Sequence, residues 1–338
     1  MRSLLAVAIL MVTSFAYAQE FQTTTTDLRF EELMNTLDVN APNIALEYKN
    51  TGTSVGMKVE RDGKKIGKWA PDQSATNVEG QVVAYHLARF LGMSEIVMPS
   101  AYFRMTGRAL ATFKRMLENA PEKNKWRRIN RDEILQKIAR NPSSLTGVYM
   151  AHLKADSPEV RGLAAPESNT INSSHPIAQF IRASGPMPST RMMSLAGVKN
   201  KEGRVPYESE LELARQFSKI MVLDILTGQW DRWSGGNVEA GYDGDRVFFF
   251  ARDNGGSSMN GPGTFKKYAS IVTRFDRSQY ERLQNLAAVL NQPESARGFA
   301  AKIHLSAKPS ILLNRVNQVL AHIQRQVDTY GANAAFFP

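Results

Sequence analysis

From residue 44 onward the spacing of apolar positions changes several times, and each change marks an element. IALEYK, GMKVE and KIGKWA gather or alternate apolar residues over five or six positions, the pattern of short strands. The breaks between them, NTGTSV and Arg61-Asp62-Gly63-Lys64, are rich in turn formers, and the Asp-Gly pair predicts a hairpin. EGQVVAYHLARFLG follows at helical spacing, with Asn77 placed as N-cap and Gly92 as the stop. Val83, Leu87, Phe90 and Leu91 share one face of that helix, which predicts that this face packs on the sheet. EIVMPSAYFRM reads as a further strand, interrupted by Pro99.

Past residue 107 the helical period takes over. ATFKRMLENA and RDEILQKIARN predict helices, SSLTGVYMAHLKA fits a strand or a helix, and ESNTINSSHPIAQFIRASGPMPST reads as a partly helical segment framed by turn residues. After Tyr207 the run ESELELARQFSKIMVLDILTG is apolar enough in its second half to be a buried helix. The tail carries Leu312, Val316, Val319, Leu320, Ile323 and Val327 on one stripe, begun by Pro309-Ser310 and stopped by Gly331. Ahead of all this, the Thr-rich TTTTDLRFEELMNTLDVNAP reads as a loosely held lead-in. The expected plan is α+β, with a lead-in over residues 19–43, a small β-rich lobe with one helix over 44–107, and a larger, mainly helical lobe over 108–338.

Composition narrows the setting. The 338 residues are 43% apolar and 22% charged, ordinary for a globular protein. An apolar run from Leu4 to Phe15 follows Arg2 and ends at Ala16-Tyr17-Ala18, the pattern of a signal peptide cleaved after residue 18 and too short to span a bilayer comfortably. Export to a periplasmic or extracellular setting is expected, with no stable membrane span after cleavage. No cysteine is present, which excludes disulfides, thiol nucleophiles and cysteine-ligated metals and favours a bacterial setting. The net charge of +10 draws phosphate-rich or acidic partners, but no basic motif is interleaved with aromatics, so nucleic acid is not an expected partner. His86, His152, His175, His304 and His322 form no H-E-x-x-H motif or close pair.

The chemistry concentrates in GQWDRWSGGNVEAGYDGDRVFFFARDNGG. With Asp243-Gly244 as the turn, NVEAGY and DRVFFF pair as antiparallel strands, and that register sets Asn237 opposite Phe250. Asp253 then lies about 10 Å of chain beyond its partner, free to fold back because Gly255-Gly256 follows. Asp231 sits on the loop before the first strand. An Asn and an Asp sharing a hard cation, beside an Asp that accepts a hydroxyl proton, is an arrangement suited to phosphoryl transfer. The alternative is that Asp231 and Asp253 are solvated turn residues.

The first lobe adds a glycine-bearing turn, Gly52 and Thr53 to Gly56, whose N–H groups can approach phosphate, and a strand lysine, Lys68, to neutralise it. A plain hairpin is again the alternative. On the helix, Glu79 lies about 75° from the centre of the apolar stripe and Gln81 further round. A partly buried carboxylate there needs a cation, and Lys68 is the nearest candidate in sequence. A first-turn acid favouring the helix's positive end is the other reading.

Taken in order, these segments resemble the secretory-pathway kinases typified by the Golgi casein kinase and four-jointed. Leu226 to Arg232, LTGQWDR, followed by Asp253-Asn254-Gly255, is similar to that family's catalytic and metal-binding segments. Gly52-Thr53 before Lys58, Lys68 shortly before Pro71, and VVAYHLARFLG before VMPSAYFRMTGR follow the family's order. The layout is more distantly similar to HipA-type and phosphatidylinositol-kinase-like folds. The resemblance implies a two-lobed protein-kinase-like fold that binds ATP with Mg²⁺ or Mn²⁺ and phosphorylates a protein or glycan hydroxyl. Carried over, Asp231 is the catalytic base, Asp253 the principal metal ligand and Lys68 the phosphate-binding lysine. The sequence departs from the pattern twice. Asn237 stands six residues after Asp231 where such folds usually place the ligand five after, so the loop bulges or Asn237 is no ligand. Aligned on AYHL, the family's helix Glu falls on Gln81, and a neutral Gln cannot pair with Lys68. Loss of that pair marks pseudokinases, so the resemblance also admits a non-catalytic nucleotide-binding protein.

Overall fold

The structure, a computed structural model, describes residues 21–49, 52–122, 124–152, 171–194, 199–200, 202–233 and 237–338. The expected signal peptide over residues 1–18 lies outside them, as does the start of ESNTINSSHPIAQFIRASGPMPST.

Order begins earlier than the hydropathy predicts. Helix α1 (Thr25–Thr36) occupies the Thr-rich lead-in and is set by a reciprocal capping box between Thr24 and Asp27. Asp27 is fully buried and accepts from Tyr85 Oη at 2.6 Å and Ser94 Oγ at 2.9 Å. Phe30 and Leu33 join the same core as the sheet. Periodicity missed this helix because its anchor is a buried carboxylate, satisfied by partners 58 and 67 residues along the chain.

Strands β1 (Ile44–Tyr48), β2 (Met57–Arg61) and β3 (Lys64–Pro71) form where the alternation places them. Helix α2 (Val78–Phe90) follows, capped by Asn77 Oδ1 on the Gly80 N–H and closed at Gly92, whose φ is +69°. Next come β4 (Ser100–Thr106), the helices α3 (Gly107–Asn119) and α4 (Lys125–Arg140), and β5 (Ser144–Ala151). The sheet is antiparallel with order β1-β2-β3-β5-β4. The ambiguous SSLTGVYMAHLKA thus supplies a strand inserted between β3 and β4, and the sheet continues past residue 107. Phe113 of α3 meets Trp69 of β3 edge-on at 5.3 Å.

The larger lobe holds β6 (Met192–Ser194), β7 (Tyr207–Ser209), α5 (Glu210–Thr227), β8 (Val238–Asp243) and β9 (Arg246–Ala251), with sheet order β6-β7-β9-β8. Helices α6 (Phe265–Ala269), α7 (Arg277–Leu290), α8 (Pro293–Lys302), α9 (Pro309–Tyr330) and α10 (Ala332–Ala335) complete it. From Ile220 onward α5 is buried at every position, and it ends at Gly228, φ +68°. On α9, Leu312, Val316, Val319 and Ile323 are buried as the stripe predicts.

Helix α2 joins the two lobes. Its predicted stripe, Val83, Leu87, Phe90 and Leu91, packs with α5 and the C-terminal helices, whereas Val78 and Val82 meet Val148 and Met150 of the five-stranded sheet. The expectation that the stripe faces the sheet is therefore reversed. A helix apolar on most sides is clamped between two layers, and its periodicity cannot say which layer takes which face.

Candidate active site

The hairpin register differs from the predicted one in a way that matters. Asp243 pairs with Arg246, so Gly244-Asp245 forms the turn, with Gly244 at φ +55°. Only glycine adopts that conformation without penalty. Val238 pairs with Ala251, and the Arg252 N–H donates to the Asn237 carbonyl at 3.0 Å. Asn237 therefore faces Arg252 rather than Phe250, and Asp253 follows directly instead of having to fold back. Asp253 takes φ +52°, ψ +54°, a left-handed conformation uncommon for a residue with a side chain and often found where a site constrains the backbone.

Arg232 fixes both ends of the hairpin. It is buried and makes two parallel bonds at 2.8 Å to the carboxylate of Asp224 on α5. Its Nη1 donates to the carbonyls of Asn237 at 2.8 Å and Arg252 at 2.7 Å, and its Nη2 to Asn254 Oδ1 at 2.6 Å. Burial pushes the Asp224 carboxyl up and the guanidinium pulls it back; the two-point geometry is what makes such a buried pair hold. Buried Gln229 completes the frame, accepting from the Asp231 N–H at 3.0 Å and donating to the Asp253 carbonyl at 2.9 Å. Asn237 Nδ2 donates to the Asp231 carbonyl at 2.6 Å. The loops bearing Asp231, Asn237 and Asp253 are thus tied to one another through their backbones, which leaves the Asp253 carboxylate with no hydrogen bond among the described residues.

The other wall comes from the five-stranded sheet. Lys58, directly across the ladder from Lys68, is held by Glu47 at 2.9 Å and Glu60 at 2.5 Å. Lys68 has no ion pair or hydrogen bond among the described residues. Its head group is enclosed by protein although the side chain keeps some solvent access, and burial pushes it down to about 8 against the pull of Asp253, with Arg252 and Lys49 adding to the fall. Lys49, at the end of β1, is lowered for the same reason, burial first, and Asp253 again opposes. Two cations next to one carboxylate, with their charged forms disfavoured, leave the wall short of negative charge.

The two walls meet across a cavity of about 670 Å³. Lys49, Gly52, Thr53, Lys68 and Asp72 line it from the sheet side, and Asp231, Asn237, Arg252 and Asp253 from the hairpin side, with Trp230 at 63% exposure beside them. Of the residues singled out in the sequence, Gly52, Thr53, Lys68, Asp231, Asn237 and Asp253 come together here. Glu79 and Gln81 do not line the cavity. Glu79 turns to the larger lobe and accepts from Ser306 N at 2.7 Å and Oγ at 2.6 Å. Gln81, expected to point away, is fully buried; its Nε2 donates to Ser100 Oγ at 2.9 Å and its Oε1 has no partner among the described residues. Its inward aim follows from the two-sided packing of α2. Lys49, Asp72 and Arg252 were not singled out in the sequence, although Lys49 precedes the NTGTSV turn and Arg252 precedes Asp253.

Neither a protein-family model nor a curated protein matches the sequence. Solved structures do. The Golgi casein kinase with Mn and ADP bound superposes with a TM-score of 0.58 at 12% identity, over 92% of this chain and 79% of that one. A second structure of the Golgi casein kinase gives 0.55 at 12% identity, over 94% and 79%. The hydra Fam20 structure with sugar gives 0.58 at 12% identity, covering 93% of both chains. The fold is kinase-like. In this kinase-like fold the cavity is the crevice between the lobes.

A triphosphate with a divalent cation fits the donor set of that crevice. The lysines lack a full complement of anions, and Asp253 and Asn237 offer hard oxygen atoms. Among the described residues no group of three His, Cys, Asp or Glu side chains is placed to hold an ion unaided, so a cation here needs ligand oxygens as well.

Proposed function

We propose that this chain is an exported phosphotransferase that moves the terminal phosphoryl group of ATP to a protein or glycan hydroxyl. The observation that carries the reading is the convergence of Lys68, Asp231 and Asp253, from two lobes, on one crevice. Asp253 and Asn237 would hold Mg²⁺ or Mn²⁺, with Asn237 contributing Oδ1 because its Nδ2 is committed to the Asp231 carbonyl. The bound cation supplies charge neutralisation along the phosphates. Lys68 and Lys49 bind and orient the phosphate chain as point charges. Asp231 accepts the hydroxyl proton of the acceptor, and the frame of Gln229 and Arg232 holds it in place while that proton moves. Export rests on the first 18 residues, and the net charge of +10 suits an acidic or phosphorylated acceptor.

Asp231→Ala tests this. Phosphoryl transfer from pure ATP with Mn²⁺ should fall by about 10²–10⁴ while nucleotide binding and melting temperature stay near wild type. Wild-type turnover in that variant removes Asp231 from the role of base.

A second reading, a non-catalytic nucleotide binder, is favoured by one observation: the buried position beside Ser100 carries neutral Gln81 instead of an acid. Thermal-shift titration with ATP and Mn²⁺, followed by a transfer assay, separates the two, since stabilisation without turnover selects the binder.

A further inference from the structure

We infer that Arg127 on α4, which does not line the crevice, is a positioning residue that sets the turn at residues 52–54 as the part of the site that reads phosphate-chain length. The inference rests on the nucleotide reading above.

Side chains hold the carbonyl groups of Thr53 and Ser54 in this turn and of Lys49 and Val55 beside it. Arg127 Nη2 donates to the Lys49 carbonyl at 2.5 Å and Nη1 to the Ser54 carbonyl at 2.9 Å. Asn130 Nδ2 donates to the Thr53 carbonyl at 3.0 Å. Gln73, at the end of β3, donates to the Val55 carbonyl at 2.7 Å and accepts from its N–H at 2.8 Å. A trans peptide carries its C=O and N–H on opposite edges. Holding the Thr53 carbonyl against α4 therefore turns the Ser54 N–H away from α4. Among the described residues, the N–H groups of Gly52, Thr53 and Ser54 have no acceptor, and all three residues line the crevice. Gly52 has φ +74° and sits so close to Lys49 that a Cβ there would lie 3.7 Å from its Nζ. The free amides and the Lys49 ammonium are thus neighbours, a concave anion site of the kind that successive amides form.

Arg127 is itself locked. It is 3% exposed, makes paired bonds to Glu122 at 2.6 and 2.8 Å, and lies over the Tyr48 ring at 5.3 Å, while the Tyr48 hydroxyl donates to Glu122. Glu122 answers its charge, so it has no need of a phosphate and acts on the ligand only through the turn. A planar fork is required to reach two carbonyls and a carboxylate at once; lysine keeps the charge but cannot do so.

The test is titration of wild type, Arg127→Lys and Asn130→Leu with ATP and with AMP, both with Mn²⁺, alongside steady-state kinetics in ATP. Asn130→Leu removes one carbonyl donor without touching the Arg127–Glu122 pair, so it covers the case in which Arg127→Lys fails to fold. The expected result is a drop of about tenfold in ATP affinity, the size of one interaction of roughly 1.4 kcal/mol. AMP affinity should change less than twofold, and KM for ATP should rise with kcat little altered. Equal losses for ATP and AMP, or an unchanged ATP-to-AMP ratio in variants that fold, overturn the inference while the nucleotide reading stands. A wild type that binds neither nucleotide overturns both.

Discussion

In the hairpin wall of the crevice, Arg232 and Asp224 are buried together and answer each other's charge, and the remaining donors of Arg232 go to carbonyls and to Asn254. In the sheet wall, Lys68 and Lys49 are partly buried with their charged forms disfavoured, while Glu47 and Glu60 pair with Lys58, the residue across the ladder from Lys68. Both walls hold charge out of water. They differ in whether the fold or a ligand is left to satisfy it. A completed pair serves as a frame, because removing either member strands the other. An incomplete set is suited to a ligand, because an anion from outside can supply what the fold does not.

That contrast can be broken or sharpened by substitution. The largest effect should come from Arg232→Met, which strands Asp224 and releases both ends of the hairpin; the loss should be about 3–5 kcal/mol, read from denaturant unfolding, with phosphoryl transfer lost as well. An unchanged midpoint would show that the pair is no frame. Lys68→Met should act with the opposite sign on the empty protein, raising its stability by on the order of 1 kcal/mol near pH 7, while weakening ATP binding in a calorimetric titration. If it destabilises the protein and leaves ATP affinity alone, the two walls do not differ as argued.

The pH dependence should be gentler. Lys68 titrates near 8 in the folded chain against 10.5 for an ordinary lysine. Between those values the unfolded chain binds more protons, so the Lys68 contribution makes stability rise with pH across that window. ATP affinity should fall over the same range as the lysine loses its charge. Unfolding and binding curves from pH 7 to 10, with Lys68→Met flattening both slopes, check the sign. Smallest of all, Glu79→Gln should cost a few tenths of a kcal/mol and leave transfer within about twofold, since a partly exposed carboxylate on a serine contributes little. A collapse of activity in that variant would return Glu79 to the phosphate site.

How much of this was legible in the sequence varies residue by residue. That Asp231 and Asp253 come to one place was legible because both stand on turn-rich loops flanking the hairpin, in LTGQWDR and DNG. Asn237 was legible as a residue but not as a position, since moving the turn by one residue from Asp243-Gly244 to Gly244-Asp245 changes its partner. Arg232 was legible as the last residue of LTGQWDR but not in what it holds; its partners lie on α5 and at the two strand ends of the hairpin, which no local pattern connects. Arg127 was less visible still, because what it holds are backbone carbonyls 73 and 78 residues earlier in the chain.

The sequence by itself determined β1 to β3 and the two strands of the hairpin, the capped helix ends at Asn77 and Gly331, and the identity of the acids at the hairpin, while the two-lobed kinase-like plan came from its resemblance to the secretory-pathway kinases. The local elements follow from forces acting within a few residues: side-chain period, turn conformation and capping. Only the tertiary structure decided which face of α2 meets which lobe, that α1 is anchored by buried Asp27, that Glu79 leaves the crevice while Gln81 enters the core, and that Lys49 and Arg252 join Lys68. Those outcomes depend on desolvation and on long-range partners, and burial is a property of the whole packing rather than of any stretch of chain.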